Sequence, residues 1–204
     1  MNKEKLAHFH RENILDAADK LYRKNGFDKT TIDMIAAKAE YSKPTIYSLF
    51  ESKEEIYACN LYKYMLSFKN DFEEILSSNK KTIDVYLDCC HEVVKFKDTN
   101  TIYFQGLIGS LDYKNMLKGN DSIFAIGELG NNINNKVCKV FDQGIKEKVL
   151  DPNINVKFAY TYIWSCVMGI VTSPKLQKEC FESEKEYTET LDKCFLKIVE
   201  GFCI

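Results

Sequence analysis

The run Lys43-Pro44-Thr45-Ile46-Tyr47-Ser48-Leu49-Phe50 gathers side chains suited to reading a nucleic acid. At about 100° of rotation per helical residue, Ile46, Leu49 and Phe50 fall on one side and are expected to bury. Pro44 and Ser48 then point directly away, Thr45 and Tyr47 flank them, and Lys43 opens the run. A helix that merely faced water would carry a Glu/Lys mixture there. Hydroxyls instead pair with donors or acceptors on base edges, methyl and ring carbons can meet a thymine methyl, and an ammonium meets phosphate.

The elements that must hold such a helix carry their own punctuation. Thr30 followed by Asp33 is a capping-box pattern, and Ile32, Ile35, Ala36 and Ala39 recur on one helical face. Glu40, Tyr41 and Ser42 make a tight turn. Ser42 can cap the next helix, and Pro44 sits in its first turn, where a missing N–H costs nothing. Ser52 with Glu55 supplies another capping box for a third helix. Upstream, Ile14, Leu15, Ala18, Leu21 and Tyr22 line a longer helix that Gly26 stops as a C′ glycine. Lys3, Lys5, His8, His10 and Arg11 open that helix, either as a solvated terminus or as an arm on phosphate. Two short helices across so tight a turn form the helix-turn-helix, which lays its second helix in the DNA major groove.

Three stretches carry a resemblance: RENILDAADKLYRKNGF (Arg11–Phe27), TTIDMIAAKA (Thr30–Ala39) and YSKPTIYSLFESKEEIY (Tyr41–Tyr57). Together they resemble the DNA-binding domain of the TetR family of bacterial repressors. The resemblance implies a homodimeric, all-α repressor whose C-terminal domain binds a small-molecule inducer. The family usually places glycine in the turn where this chain has Glu40. Glu40 must therefore accept the backbone the turn requires, αL included, and it puts a carboxylate near the DNA face.

Net charge is only −2, so general basicity does not draw this chain to nucleic acid. Met1–Lys53 carry ten basic against eight acidic side chains, and the remainder 18 against 22. With 204 residues and 45% hydrophobic content, the chain can bury a core in one larger domain beyond the first module. The expected architecture is all-α: residues 1–52 as a three-helix DNA-binding domain with a helix-turn-helix, and residues 53–204 as a helical ligand-binding and dimerisation domain. Helices are expected near 53–77, 82–96, 101–111, within 122–149, at 153–172 and at 184–202, with connectors at 117–121 and 174–183. The apolar stretch from Phe158 to Pro174 is too short and too polar to span a membrane, and no signal peptide is legible. A cytoplasmic protein with reduced thiols is expected.

Eight cysteines form no CxxC pair, and the consecutive Cys89, Cys90 and His91 diverge too far on a helix to share one metal. No metal or cofactor is implied. Three histidines, without a Gly-rich phosphate loop, offer no catalytic set, so an enzyme is not expected.

DNA contact is assigned to Thr31, Ser42, Lys43, Pro44, Thr45, Tyr47, Ser48 and Lys53, with Thr31 and Lys53 on phosphates at helix starts. The partner would be a double-stranded, pseudo-palindromic operator read by a homodimer. For dimerisation, Leu191, Phe195, Ile198 and Phe202 form one stripe, and Tyr162, Cys166 and Ile170 lie on a helix apolar nearly all round. An unknown inducer, apolar or aromatic and of modest charge, is expected among Tyr62, Met65, Tyr86, His91, Phe104, Phe124, Trp164 and Met168. The rival readings are a ligand-independent DNA-binding structural factor of the same fold and a thiol-based redox sensor.

Overall fold

The structure, a computed structural model, describes residues 3–108 and 121–204. Its helices are α1 (Lys3–Asn25), α2 (Ile32–Ala39), α3 (Lys43–Leu49), α4 (Lys53–Leu76), α5 (Thr82–Thr99), α6 (Thr101–Leu107), α7 (Asp121–Lys146), α8 (Val156–Thr172) and α9 (Glu184–Val199). Short 3₁₀ turns follow at Pro174–Leu176, Lys178–Cys180 and Glu200–Phe202. No strand occurs among the described residues, and the one extended pairing is an isolated bridge, Leu150 to Cys203. The expected connector at 117–120 and the last residues of the helix expected near 101–111 lie outside the described residues.

The chain divides into two compact units, and the division does not fall at 52/53. One unit comprises Met1–Ser67 with Asn100–Leu129, the other Phe68–Thr99 with Gly130–Ile204. Both α4 and α7 therefore run from one unit into the other.

In the first unit α1 packs on α2 and α3. Ile14, Leu15, Ala18 and Tyr22 supply its buried face, as the spacing predicts. Gly26 ends it at φ +81°, its N–H bonded to the Tyr22 carbonyl at 2.9 Å. That conformation lies in the left-handed region, which a residue without Cβ enters freely. Helix α6 is fastened to this unit by polar bonds that reach far along the chain. Asp19 accepts from Arg23 Nε at 3.0 Å and Tyr64 Oη at 3.0 Å on one oxygen, and from Tyr103 Oη at 2.7 Å on the other. Arg23 also donates to Asn100 Oδ1 at 2.9 Å. Tyr57 stacks on Tyr103 and donates to the Ile102 carbonyl at 2.9 Å. Burial pushes the Tyr103 phenol far above its ordinary value, and the neighbouring Asp19 carboxylate adds to the shift. It stays a hydrogen-bond donor.

In the second unit α5, α8 and α9 pack on one another. Tyr86 of α5 donates to the Phe195 carbonyl at 2.9 Å, and His91 bonds Asp192 Oδ1 at 2.6 Å. Gly144 of α7 allows a close approach. A Cβ there would lie 2.7 Å from Leu150 Cδ1 and 2.9 Å from Thr82 Cγ2, both on buried residues. Asn155 caps α8, accepting from Phe158 N–H at 3.0 Å, so that helix starts later than the expected 153.

Candidate nucleic-acid interface

Local sequence builds the helix-turn-helix almost bond by bond. The N-cap of α2 is Thr31, whose hydroxyl accepts from the Met34 N–H at 3.2 Å. Thr30, expected to cap, is instead fully buried and donates to the Gly26 carbonyl at 2.8 Å. The two adjacent threonines thus divide the work, one closing the corner and one starting the helix. Glu40 ends α2 in the left-handed region at φ 61°, ψ 35°, its N–H bonded to the Ala36 carbonyl. The turn does require the backbone that glycine supplies most cheaply.

Ser42 caps α3, accepting from Thr45 N–H at 3.2 Å, with Pro44 in the first turn. Ile46 and Phe50 are buried and Leu49 is half-buried. Ser42, Lys43, Pro44, Tyr47 and Ser48 are exposed, Tyr47 at 51%, while Thr45 is half-buried. The Thr45 hydroxyl shares a 2.8 Å bond with that of Ser42, and Ser48 donates to the Thr45 carbonyl at 2.8 Å. These local bonds still leave hydroxyl acceptor lone pairs for a base or phosphate.

The module is anchored from behind. Arg11 lies 4.0 Å over the Phe50 ring, donates to the Leu49 carbonyl and pairs with Glu55 at 3.6 Å. That guanidinium ties the end of α3 to α1 and α4. Tyr41, in the turn, shares a 2.7 Å bond with His10 Nδ1 and accepts from Asn13 Nδ2 at 3.3 Å. Ser52 accepts from Glu55 N–H at 3.1 Å, and the Glu55 carboxylate reaches back to the Glu51 N–H at 2.6 Å. The expected box at the start of α4 is thus displaced by one residue on its return arm.

Of the residues assigned to DNA, Thr31, Ser42, Lys43, Pro44, Tyr47 and Ser48 are exposed around the two short helices. Lys53 is held differently. Its ammonium lies 4.1 Å over the Phe27 ring and donates to the Phe27 carbonyl at 3.0 Å. Lys43 is paired with Asp33 at 2.9 Å.

The residues assigned to a ligand fall in both units: Tyr62, Met65, Phe104 and Phe124 in the first, Tyr86, His91, Trp164 and Met168 in the second. Met65 and Phe104 are buried core. Phe124, at 75% exposure, and Trp164, at 40%, stand in solvent. The polar ends of Tyr86 and His91 are occupied by α9.

Among the residues assigned to a dimer, Leu191 and Phe195 are covered by their own unit, at 1% and 0% exposure, because that face of α9 packs on α5 and α8. Ile198, Cys166 and Ile170 are half-buried. Tyr162 is exposed and joins Phe202 and Phe158 in an aromatic cluster with ring centroids 5.7–6.3 Å apart. Phe158, exposed, belongs to this surface and is not among the residues assigned to a dimer from the sequence. The i, i+4 spacing of Phe158 and Tyr162 was the available signal.

Among the described residues no cluster of His, Cys, Asp and Glu could hold a metal, and no helix is long and apolar enough to cross a membrane.

Residues 14–58 match the family model of bacterial regulatory proteins, tetR family. An uncharacterised HTH-type transcriptional regulator of Bacillus subtilis (strain 168), YhgD, is 43% identical over 44 residues. That match spans 22% of this chain and 23% of the relative, less than a quarter of its length. Solved structures share the fold along nearly the whole chain. The ketosteroid transcriptional regulator KstR2 of Mycobacterium tuberculosis aligns over 100% of this chain and 97% of its own, with TM-score 0.68 and 16% identity. The fatty acid degradation regulator FadR of Bacillus halodurans covers 94% and 95%, with TM-score 0.67 and 15% identity. The matched module and its helix-turn-helix geometry agree: residues 14–58 form a module of the kind found in bacterial regulatory proteins of the tetR family, and the chain as a whole shares the all-α fold of these solved regulators.

Proposed function

We propose that the chain is a dimeric, ligand-responsive transcriptional repressor that reads a pseudo-palindromic operator. The observation that carries this is α3. It is a seven-residue helix with a buried apolar side and an outward face of Lys43, Pro44, Tyr47 and Ser48, held rigidly from behind by Arg11 and Tyr41. Two such heads related by a two-fold axis would meet half-sites about one helical turn apart or a near multiple.

Dimerisation is supported by the exposed rings of Phe158 and Tyr162, clustered on the half-buried Phe202, since solvent is a poor environment for clustered rings. The inducer is an apolar or aromatic small molecule, in keeping with side chains that are mostly aromatic and lack a cluster of Arg or Lys. Fold relatives named for ketosteroids and for fatty acid degradation deal in chemistry of that kind. For Cys89 and Cys90 a thiol-sensing role is disfavoured: burial raises both thiols, Cys90 to about 12, which keeps thiolate scarce there.

Selection of duplexes from a random pool by the purified protein would define the operator. Titration of Tyr47→Ala and Lys43→Ala against it is expected to show losses of about 1–3 kcal/mol each. Wild-type affinity in both variants would remove α3 from the reading role.

A further inference from the structure

We propose that Asp33 is a specificity-determining residue of the reading head, because it competes with DNA phosphate for the Lys43 ammonium. The inference rests on the DNA-reading role proposed above. Lys43 Nζ lies 2.9 Å from one Asp33 oxygen and 3.1 Å from the other, so the carboxylate grips it with both. The contact bridges the first turn of α2 to the first residue of α3 on the solvent side of the motif. The side chains are 72% and 48% exposed, and an ion pair so open contributes little to stability. Its importance is its position. Lys43 is the sole cation of α3, beside the exposed Thr31, Ser42 and Tyr47. The helix start behind Asp33 favours a negative charge at this position, which helps to hold the carboxylate beside Lys43.

A phosphate that approaches Lys43 meets this carboxylate first. Either the pair opens and Asp33 takes up a cation from solution, or Asp33 remains close to the phosphate and repels it. A free lysine that neutralises a phosphate releases one condensed counterion, and that release drives sequence-independent binding. Exchange of one anionic partner for another cancels most of it. Attraction to arbitrary duplex is therefore suppressed, and discrimination passes to the hydroxyl and ring contacts of Thr45, Tyr47 and Ser48. Asp33 makes the head weaker everywhere and more selective.

The test uses the full chain, a mixed-sequence duplex and a duplex enriched by selection, titrated through a salt series. Asp33→Asn is expected to bind the mixed duplex roughly tenfold more tightly at low salt, and to steepen the salt slope by about 0.9 per subunit. The ratio of selected to mixed affinity should narrow. Asp33→Ser, a second uncharged residue suited to a helix start, should reproduce all three changes. In a Lys43→Ala background the change of slope should disappear, because no ammonium is left to be released. Wild-type affinity and slope in both Asp33 variants would overturn the proposal while leaving the reading role intact. An equal slope change with and without Lys43 would overturn it as well. A wild-type chain that binds neither duplex would overturn the reading role itself and this inference with it.

Discussion

Tyr103 and Phe195 are both wholly buried aromatic residues, yet the two units secure them by different means. Tyr103, in the first unit, stacks on Tyr57 and places its hydroxyl 2.7 Å from Asp19, which also holds Arg23 and Tyr64. Phe195, in the second, has its backbone carbonyl bonded to Tyr86 at 2.9 Å, but its ring meets His91 edge-on and is held by the fit of α9 on α5 and α8. A ring fixed by a directional bond to one carboxylate has one acceptable position. A ring fixed by area alone can be repacked, with its neighbours, at modest cost. The ring in the first unit is thus fixed by direction, and the ring in the second by packing.

The largest expected effect tests the apolar side of this contrast. Phe195→Ala should lower unfolding free energy by about 3–5 kcal/mol, measured by urea denaturation, through lost burial and the cavity left behind. Phe195 is covered within its own unit, so the loss should not change on dilution of the protein. Phe158→Ala, on the exposed aromatic surface, should behave oppositely, with little effect on unfolding but a shift toward monomer in sedimentation. If dilution magnifies the Phe195→Ala defect, that ring is shared between copies and its placement in the core is wrong.

Tyr103→Phe probes the polar side. It removes one oxygen and leaves Asp19 with two donors, and should cost about 1–3 kcal/mol. A neutral outcome would mean that this bond adds nothing to the other contacts that fix α6. No periodicity points to this bond, because its partners stand 84 positions apart and neither is unusual in its own helix. The helix-turn-helix was legible for the opposite reason. Its caps, turn and buried side are settled within a few residues, as Thr31, Ser42 and Ile46 illustrate. Even there, Thr30 and Thr31 were told apart only by tertiary burial of one of them. In the second unit the stripe through Leu191 and Phe195, read from the sequence as a dimer surface, is covered within its own unit. An apolar pattern carries no label for its cover, and α5 with α8 provided it. The likeness between core and pocket walls has the same origin, and it left Phe124 among ligand residues although it stands in solvent.

The cysteines give the second unit a pH signature. Burial holds the Cys90 thiol up at about 12, whereas in the unfolded chain it ionises near its ordinary value of about 8.5. Below that value both states keep the proton and stability is insensitive to this group. Above it the unfolded chain loses a proton that the folded chain retains, so stability falls as pH rises and levels off only near the folded value. The slope is at most about 1.4 kcal/mol per pH unit for one thiol, and Cys89, raised by the same burial, adds to it. Urea midpoints from pH 8 to pH 10.5 should therefore fall less steeply in Cys90→Ala than in the wild type. Equal slopes would place the alkaline sensitivity elsewhere.

The smallest expected effect concerns the first unit, at the turn that positions α3. Glu40 occupies the left-handed region at φ 61°, where an L side chain crowds the following carbonyl at a cost of about 1 kcal/mol. Glycine relieves that crowding but gains freedom in the unfolded chain, so Glu40→Gly should stabilise by no more than about 1 kcal/mol. Two properties change together in that variant, backbone strain and charge. Glu40→Gln separates them, because it keeps the Cβ and removes the carboxylate. If strain dominates, thermal melts should rise for Gly and stay level for Gln. If the carboxylate repels phosphate, operator titrations at low salt should tighten for both by similar factors, and the gain should fade as salt is raised. A lower melting temperature for Glu40→Gly would show that the turn depends on contacts of the glutamate side chain. The reading helix would then be positioned by that side chain and not by the left-handed backbone alone.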